Sequence, residues 1–315
     1  MDLHRRVIRR VAPAWMAWSL ACCCAIAAHA QMPSSAPIQA AVRVLDIDGH
    51  AVELAAPARR VISLAPHLTE LMFAIGAGDR VVGTVAHADF PDAAQRLPRV
   101  GDSALLDLER IVALKPDLVL VWRHGNSPQQ LQRLAVLKLP TYASEARTLA
   151  DITRTLRDLG QLSGSPHPAE RQAAAFEAEV SALRVRYAGR RRVDVFYQIW
   201  NPPLITINGQ HLISQVLALC GARNVFEAER LLTPTVTEEA VMLADPDAVV
   251  AGWSDSYGAS PLERWRRLHA LRAVRQGHLL QVDPDLLHRQ SDRVLLGARQ
   301  LCDKLDTVRA GLPPR

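Results

Sequence analysis

Apolar and polar positions divide most of the chain into short strands and amphipathic helices. The stretch 42–54, VRVLDIDGHAVEL, alternates apolar and polar residues around Asp48-Gly49, which predicts a β-hairpin. From Arg60 onward, apolar strands such as RRVISLAP and VVGTVA alternate with helical patterns. The helix HLTELMFAIGAG has one apolar face, formed by Leu68, Leu71, Met72 and Ile75. Because such alternation is typical of crossover connections, the pattern predicts an α/β fold with mainly parallel sheets.

This order of strands and helices occurs twice along the chain. Three positions of the first copy match three of the second at one constant offset: His67 and His211, Leu68 and Leu212, Val81 and Val225. A further set leads to an apolar strand that runs into a tryptophan: Glu109 and Glu239, Pro116 and Pro246, Trp122 and Trp253. Several matches in the same order predict two related α/β lobes.

A long helix is predicted between the two copies. Residues 166–190, PHPAERQAAAFEAEVSALRVRYAGR, are rich in Ala, Glu and Arg. One helical face is formed by Ala174, Phe176, Val180, Leu183 and Tyr187. At 1.5 Å per residue, roughly 20 helical residues cover about 30 Å, which suits a rigid strut. The predicted organisation is a signal peptide (1–30), a tail and hairpin (31–56), an N-terminal lobe (57–165), the bridging helix (166–190) and a C-terminal lobe (191–315).

The first thirty residues have the pattern of a secretory signal. Four arginines precede an apolar run from about Ala14 to Ala28, and Ala-His-Ala stands before Gln31. The apolar run is shorter than the ~20 residues that span a bilayer, so we predict cleavage after Ala30 rather than a membrane anchor. A lipoprotein is the alternative, because Ser19-Leu20-Ala21-Cys22 resembles a lipidation box with Ser19 where leucine is usual.

Export changes both the charge and the cysteine count. Cleavage removes four arginines and one aspartate, so the formal net charge falls from +5 to +2 and the basic pI no longer indicates a nucleic-acid partner. The chain after residue 30 keeps two cysteines, Cys220 and Cys302. An even pair in an exported protein predicts one disulfide, with two buried free thiols as the alternative.

Several stretches resemble a known family. RVISLAPHLTELMFAIG, ADFP and LERIVALKPDLVLVWRHGN, within residues 60–126, are similar to the periplasmic cobalamin-binding proteins of ATP-binding-cassette importers. NPPLIT at 201–206, LCGARNVF at 219–226 and ARQLC at 298–302 continue the likeness, which covers about 61–305. The resemblance places the chain among the metal-chelate receptors with a helical backbone. It implies two lobes bridged by a long helix, little closure motion, and a ligand held between the lobes.

The parallel sheets and the resemblance together imply a ligand site. Ligands of such sheets lie beyond the carboxyl ends of the strands, where Trp122 and Trp253 are predicted, although each tryptophan could instead cap its own core. The resemblance implies that Trp122 stacks on a corrin ring. The other ligand-binding residues that it implies are Trp200, Pro202, Asp285, Arg289, His87 and Phe90.

His87 is a departure from the family, whose receptors carry an aromatic side chain there and at other positions where this chain has none. In the cleft, its imidazole could ligate cobalt or iron; the alternative is a histidine that is solvated or lies at the edge of the core.

The resemblance also implies a role for Glu109 and Glu239. The resemblance implies that one glutamate on each lobe docks on arginines of the membrane permease, and the repeat singles out these two. Charge pairs of this kind set orientation and encounter rate more than affinity. A glutamate in the first turn of a helix also interacts favourably with the helix dipole, which is the alternative explanation.

Rival functions remain within and outside this fold. A receptor for haem or a ferric siderophore would use Arg123, Arg289 and His87 for carboxylates or iron. A receptor for bare zinc or manganese is not favoured, since no paired-histidine motif is present. An exported α/β hydrolase would use Ser63, His87 and Asp89, but the sequence has no Gly-x-Ser-x-Gly elbow.

We therefore predict an exported, periplasmic, monomeric binding protein rather than an enzyme or an adhesive protein. Its ligand is predicted to be a corrinoid, cobalamin or cobinamide, and its partner the permease of an ATP-binding-cassette importer. No resident cofactor, metal or nucleic acid is predicted.

Overall fold

Three sheets organise the part of the chain that the computed structural model describes, residues 41–102, 105–254 and 258–313. The predicted signal peptide and the polar tail after it lie outside these ranges. The first sheet is the predicted hairpin, in which β1 (Val42–Leu45) pairs antiparallel with β2 (Ala51–Leu54). Gly49 has a φ of 79°, which glycine adopts at little steric cost, and it allows the tight turn between the strands.

The N-terminal lobe is a parallel four-stranded sheet with helical connections. Its elements are β3 (Val61–Ser63), α1 (Pro66–Ala74), β4 (Val81–Thr84), α2 (Leu108–Ala113), β5 (Leu118–Trp122), α3 (Pro128–Val136), β6 (Thr141–Ser144) and α4 (Leu149–Ser163). The strands lie in the order β4-β3-β5-β6. Helix α1 has proline in its first turn, and the predicted apolar face of Leu68, Leu71, Met72 and Ile75 is buried.

The bridging helix α5 (Pro166–Tyr187) connects the lobes as predicted. It packs mainly against α4 of the N-terminal lobe. One expectation about its buried face is wrong: Ala174 is exposed, whereas Ala173 is fully buried. Residues two apart in a helix point to nearly opposite sides, so Ala174 cannot share the face of Phe176, while Ala173 is three residues away and can.

The C-terminal lobe repeats the topology of the first. Its elements are β7 (Val193–Gln198), α6 (Leu212–Leu219), β8 (Ala222–Asn224), α7 (Glu238–Ala244), β9 (Ala248–Gly252), α8 (Glu263–Arg266), α9 (Arg272–Arg275), β10 (Leu279–Val282), α10 (Pro284–Leu287) and α11 (Val294–Gly311). The strand order β8-β7-β9-β10 is parallel throughout and corresponds strand for strand to that of the N-terminal lobe. The prediction of two related lobes with parallel sheets joined by a long helix is therefore confirmed.

A disulfide joins Cys220, at the end of α6, to Cys302 in α11, which confirms the predicted pair. Both cysteines are fully buried within the C-terminal lobe. In the chain-entropy model, a closed loop of this length stabilises the fold by on the order of 4 kcal/mol. Among the described residues, no helix combines the length and apolar character needed to cross a bilayer.

Candidate functional site: the cleft between the lobes

A cleft of about 750 Å³ lies where the carboxyl ends of the two sheets face each other. The N-terminal lobe contributes Pro66, His87, Asp89 and Trp122 to its lining. The C-terminal lobe contributes a larger set: Gln198, Ile199, Trp200, Asn201, Gly252, Trp253, Ala259, Pro261, Pro284, Asp285, His288 and Arg289. Crevices at the carboxyl ends of parallel strands are the usual ligand sites of such sheets, so the cleft matches the expected location.

Three tryptophans form the aromatic part of this lining. Trp122 ends β5, Trp253 follows β9, and Trp200 lies two residues beyond β7. Trp200 is 63% exposed, and its indole N–H donates to the carbonyl oxygen of Pro202 at 2.9 Å. The buried indole N–H groups of Trp122 and Trp253 have no hydrogen-bond partner among the described residues. The cleft therefore offers apolar aromatic surface from both lobes, while the indole N–H groups of Trp122 and Trp253 are turned away from solvent.

Trp122 is fixed in place by its neighbours. Its ring and the His67 ring form a T-shaped pair, with centroids 5.2 Å apart and an interplanar angle of 87°. Gly125 lies so close that an added Cβ would come within 1.7 Å of the Trp122 ring, so only glycine fits there. Trp122 also packs partly against the core. It serves both proposed roles, lining the cleft and covering its own lobe.

Asn126, which no local sequence pattern singled out, supports the same strand end. Its side-chain oxygen accepts the backbone N–H of Trp122 at 2.8 Å, while its side-chain nitrogen donates to the Leu64 carbonyl at 3.1 Å. Asn126 is buried and thus ties the segments after β3 and β5 together. A buried amide with both ends satisfied fixes the geometry of these segments.

Arg289 lies at the cleft wall within a group of carboxylates. Its Nη1 donates to Glu70 at 2.7 Å and to Asp89 at 2.9 Å, and its Nη2 lies 2.9 Å from Asp285. Burial lowers the pKa of Arg289, but the hydrogen bonds to Asp89 and Glu70 outweigh this effect and raise it. Burial raises the pKa of Asp89, and the hydrogen bond and charge of Arg289 bring it below its usual value. The guanidinium charge is therefore largely neutralised by protein carboxylates.

Glu70 anchors a segment that joins the two lobes, residues 289–293, which we call the interlobe strap. This carboxylate of α1 is only 2% exposed. Besides Arg289, it accepts a hydrogen bond from the Ser291 hydroxyl at 2.6 Å and one from Arg293 Nη1 at 3.1 Å. Three of the five strap residues thus converge on one buried carboxylate of the N-terminal lobe.

The other two strap residues also bond outside their own lobe. The Gln290 side chain accepts the backbone N–H of Ala146 at 2.8 Å and donates to Glu145 at 3.1 Å. Gln172 of the bridging helix donates to Asp292 at 2.7 Å. Every residue of the strap therefore fixes the C-terminal lobe to another part of the molecule, which agrees with the little closure motion implied by the resemblance.

Three histidines whose imidazoles are shielded from water, His67, His211 and His288, are called here the buried histidines; His288 lines the cleft and His67 contacts Trp122. Burial lowers the pKa of His67 to about 3, with a further contribution from the Arg289 charge. Burial also lowers the pKa of His211 and of His288 to about 4. All three are therefore neutral at physiological pH, because a charged imidazole is disfavoured away from water.

Some of the predicted ligand-binding residues line the cleft, and others do not. His87, Trp200, Asp285 and Arg289 line the cleft with Trp122. Phe90 and Pro202 are not among the described lining residues. The guanidinium of Arg293 lies over the Phe90 ring, 3.8 Å from its centroid, so Phe90 contacts the strap instead. Ser63, a candidate nucleophile of the hydrolase reading, is fully buried and its hydroxyl donates to the Ala65 carbonyl at 3.0 Å.

Glu109 and Glu239 occupy equivalent positions, each the second residue of its helix. Both are exposed, and no salt bridge among the described residues involves either carboxylate. Hydrogen bonds from its own backbone N–H and from the Thr237 side chain lower the pKa of Glu239. The charges therefore stand free on corresponding surfaces of the two lobes, and the interaction with the helix terminus also applies.

Two lobes of the same topology enclosing an aromatic cleft define a bilobal solute-binding protein. A family model described as periplasmic binding protein matches residues 61–286, and the chain belongs to this family.

The chain is similar to proteins with a named ligand. The vitamin B12-binding protein of Pectobacterium carotovorum subsp. carotovorum (strain PC1) is 37% identical over 255 residues, which cover 80% of this chain and 90% of that protein. The periplasmic vitamin B12 binding protein BtuF of Vibrio cholerae matches with a TM-score of 0.73 at 32% identity, covering 80% of this chain and 98% of that chain. A periplasmic heme binding protein from Pseudomonas aeruginosa matches with a TM-score of 0.69 at 25% identity, covering 82% and 95%.

Proposed function

We propose that this protein captures a corrinoid in the periplasm and delivers it to the permease of an ATP-binding-cassette importer. The relatives named as vitamin B12-binding proteins support the ligand class, and their similarity extends over most of both chains. The secretory pattern of residues 1–30 and the family itself support export and a periplasmic location. The protein acts as a monomer and performs no catalysis of its own.

The composition of the cleft wall carries the choice of ligand. Arg289 is the only Lys or Arg among the described lining residues, and its guanidinium already bonds to three carboxylates. Two of these carboxylates, on Asp89 and Asp285, are themselves part of the lining. A haem carries two negatively charged propionates, which would face these carboxylates with no free cation in the described lining to pair with. Because burying an unpaired charge is costly, this arrangement disfavours haem. A corrin ring instead carries neutral amides, which hydrogen-bond to carboxylates.

The aromatic residues fit the same ligand. A macrocycle is flat and apolar over its faces, and tryptophan rings provide matching surface. Trp122 from one lobe and Trp200 and Trp253 from the other allow contacts from both sides of the cleft. Pro202 contributes by accepting the indole N–H of Trp200, whereas the contact of Phe90 is with Arg293 of the strap.

Delivery is assigned to the two equivalent glutamates. Glu109 and Glu239 are exposed at the same position of corresponding helices, so one permease surface of matching symmetry could bind both. Cationic partners on the permease would steer the encounter and fix its orientation. The presence of one such exposed charge on each lobe supports docking, in addition to the interaction of each glutamate with its helix dipole.

Calorimetric titration with cyanocobalamin tests the ligand assignment. Wild-type protein is expected to bind one equivalent, and Trp122→Ala is expected to weaken binding by at least about thirtyfold, the loss typical of an aromatic hot spot. Leu243→Ala is the matched control, because this side chain is 90% exposed on α7 and outside the cleft lining. Equal affinities of wild type and Trp122→Ala would contradict the cleft as the binding site.

A further inference from the structure

His87 differs from the other histidines in and near the cleft in that, among the described residues, it makes no contact that supports the fold. Among the described histidines of this region, His288 Nε2 lies 3.0 Å from the Tyr197 hydroxyl, and His211 Nδ1 accepts the Ile213 N–H at 3.1 Å. His67 is buried against the ring of Trp122. His87, in contrast, is exposed, lines the cleft, and makes no hydrogen bond to any described residue. Its imidazole is therefore available to a ligand.

The backbone around His87 holds this side chain in the cleft. His87 has a φ of 62°, a left-handed conformation that few non-glycine residues adopt. The flanking Val85 and Ala88 are buried. Arg99 Nη1 donates to the carbonyl oxygens of both, at 3.1 Å each, and Ala86 N–H donates to the Gly101 carbonyl at 2.9 Å. The loop is thus fixed on both sides of an exposed imidazole.

We propose that His87 coordinates the cobalt of a bound corrinoid whose axial ligand is an exchangeable water; this rests on the proposed corrinoid function. Neutral imidazole is a common ligand of metal ions in proteins. A corrinoid leaves its cobalt open only along the axis perpendicular to the ring. His87 lies on the same lobe as Trp122, and both side chains line the cleft. Among the described lining residues, the imidazole of His87 is therefore the group suited to this axial position.

The exchange is a simple substitution at the metal. A cobalt–nitrogen bond to the neutral imidazole forms, the cobalt–oxygen bond to water breaks, and the water leaves for solvent. The oxidation state of cobalt does not change and no proton is transferred. Cyanide holds cobalt much more firmly than water, so cyanocobalamin binds in the cleft without this bond. We expect the protein to prefer aqua-corrinoids to their cyano forms by at least about tenfold, since loss of even an indirect partner of a metal ligand typically costs that much.

Visible absorption and calorimetry of wild type and His87→Gln, with aquacobalamin and cyanocobalamin, test the proposal. Aquacobalamin is expected to shift its absorption bands on binding wild type, and to show no shift with His87→Gln, whereas cyanocobalamin binds both with an unchanged spectrum. His269→Gln is the control, since His269 is exposed and outside the described cleft lining. Free imidazole added to the complex of His87→Gln is expected to restore the shifted spectrum.

The outcomes separate this inference from the function on which it rests. If aquacobalamin binds wild type without a shift of its absorption bands, or if the shift persists in His87→Gln, His87 does not coordinate cobalt. Corrinoid capture would stand in either case. Failure of both corrinoids to bind wild type would overturn the proposed function and the inference with it.

Discussion

Removing the charge of Glu70 is the sharpest test of the interlobe strap. The substitution Glu70→Gln keeps the size of the side chain and one acceptor oxygen, but leaves two guanidinium groups without their buried counter-charge. Glu70 is 2% exposed and accepts from Arg289 at 2.7 Å, Ser291 at 2.6 Å and Arg293 at 3.1 Å. Removing one partner of a buried ion pair costs about 3 to 5 kcal/mol.

The lower end of that range is expected here. Arg289 keeps its contacts to Asp89 and Asp285, and glutamine still accepts one hydrogen bond. We therefore expect Glu70→Gln to lower the free energy of unfolding by about 3 kcal/mol, which corresponds to a decrease in Tm of roughly 6 to 12 °C. Urea unfolding followed by circular dichroism measures the free energy, and a thermal scan measures the Tm.

Glu179→Gln provides the matched control. Glu179 pairs with Arg299 at 2.9 Å, and both side chains are partly exposed. Such a surface pair contributes at most about 1 kcal/mol. Equal losses in the two variants, or a loss below about 1 kcal/mol for Glu70→Gln, would refute the strap as a principal connection between the lobes.

Three further predictions concern the disulfide, the docking charges and pH. Replacing Cys220 and Cys302 together by serine is expected to lower the free energy of unfolding by roughly 2 to 5 kcal/mol; an unchanged urea midpoint would contradict this. Reversing Glu109 and Glu239 to lysine is expected to abolish corrinoid-dependent ATP hydrolysis by the reconstituted importer while the Kd for cyanocobalamin stays the same. Hydrolysis at the wild-type rate would exclude docking through these charges. Because the buried histidines have lowered pKa values in the folded protein, the unfolded chain binds more protons, and stability should fall as pH drops from 6.5 towards 4. A flat unfolding profile across that window would show that they are not buried neutral.

Much of the fold could be predicted from local sequence pattern. The alternation of strands and helices and the internal repeat indicated two parallel sheets, and both sheets have the same strand order. Trp122 and Trp253 were placed at the cleft because a parallel strand that ends in a large aromatic residue directs it to the carboxyl edge. These features depend on residues close together in sequence, where periodicity is informative.

The supporting residues of the site could not be predicted in this way. Glu70 is bonded to residues more than 200 positions away, and neither its helix nor the strap has a local motif that signals the contact. Asn126 bonds to Leu64 across neighbouring strand ends, which requires the strand order to be known. Ala174 was assigned to the wrong helical face, because residues two positions apart in a helix, such as Ala174 and Phe176, point to nearly opposite sides. For Asn126, the available signal was an asparagine shortly after a predicted strand, since a buried amide can fix the end of a strand.

A paired calorimetric titration of the protein with cyanocobalamin and with haemin tests the central claim most directly. Saturable one-to-one binding of cyanocobalamin, with much weaker binding of haemin, is the predicted result, because the described cleft wall holds carboxylates and no free cation for propionates. Saturable haemin binding without binding of any corrinoid would contradict the account and assign the cleft to an iron tetrapyrrole.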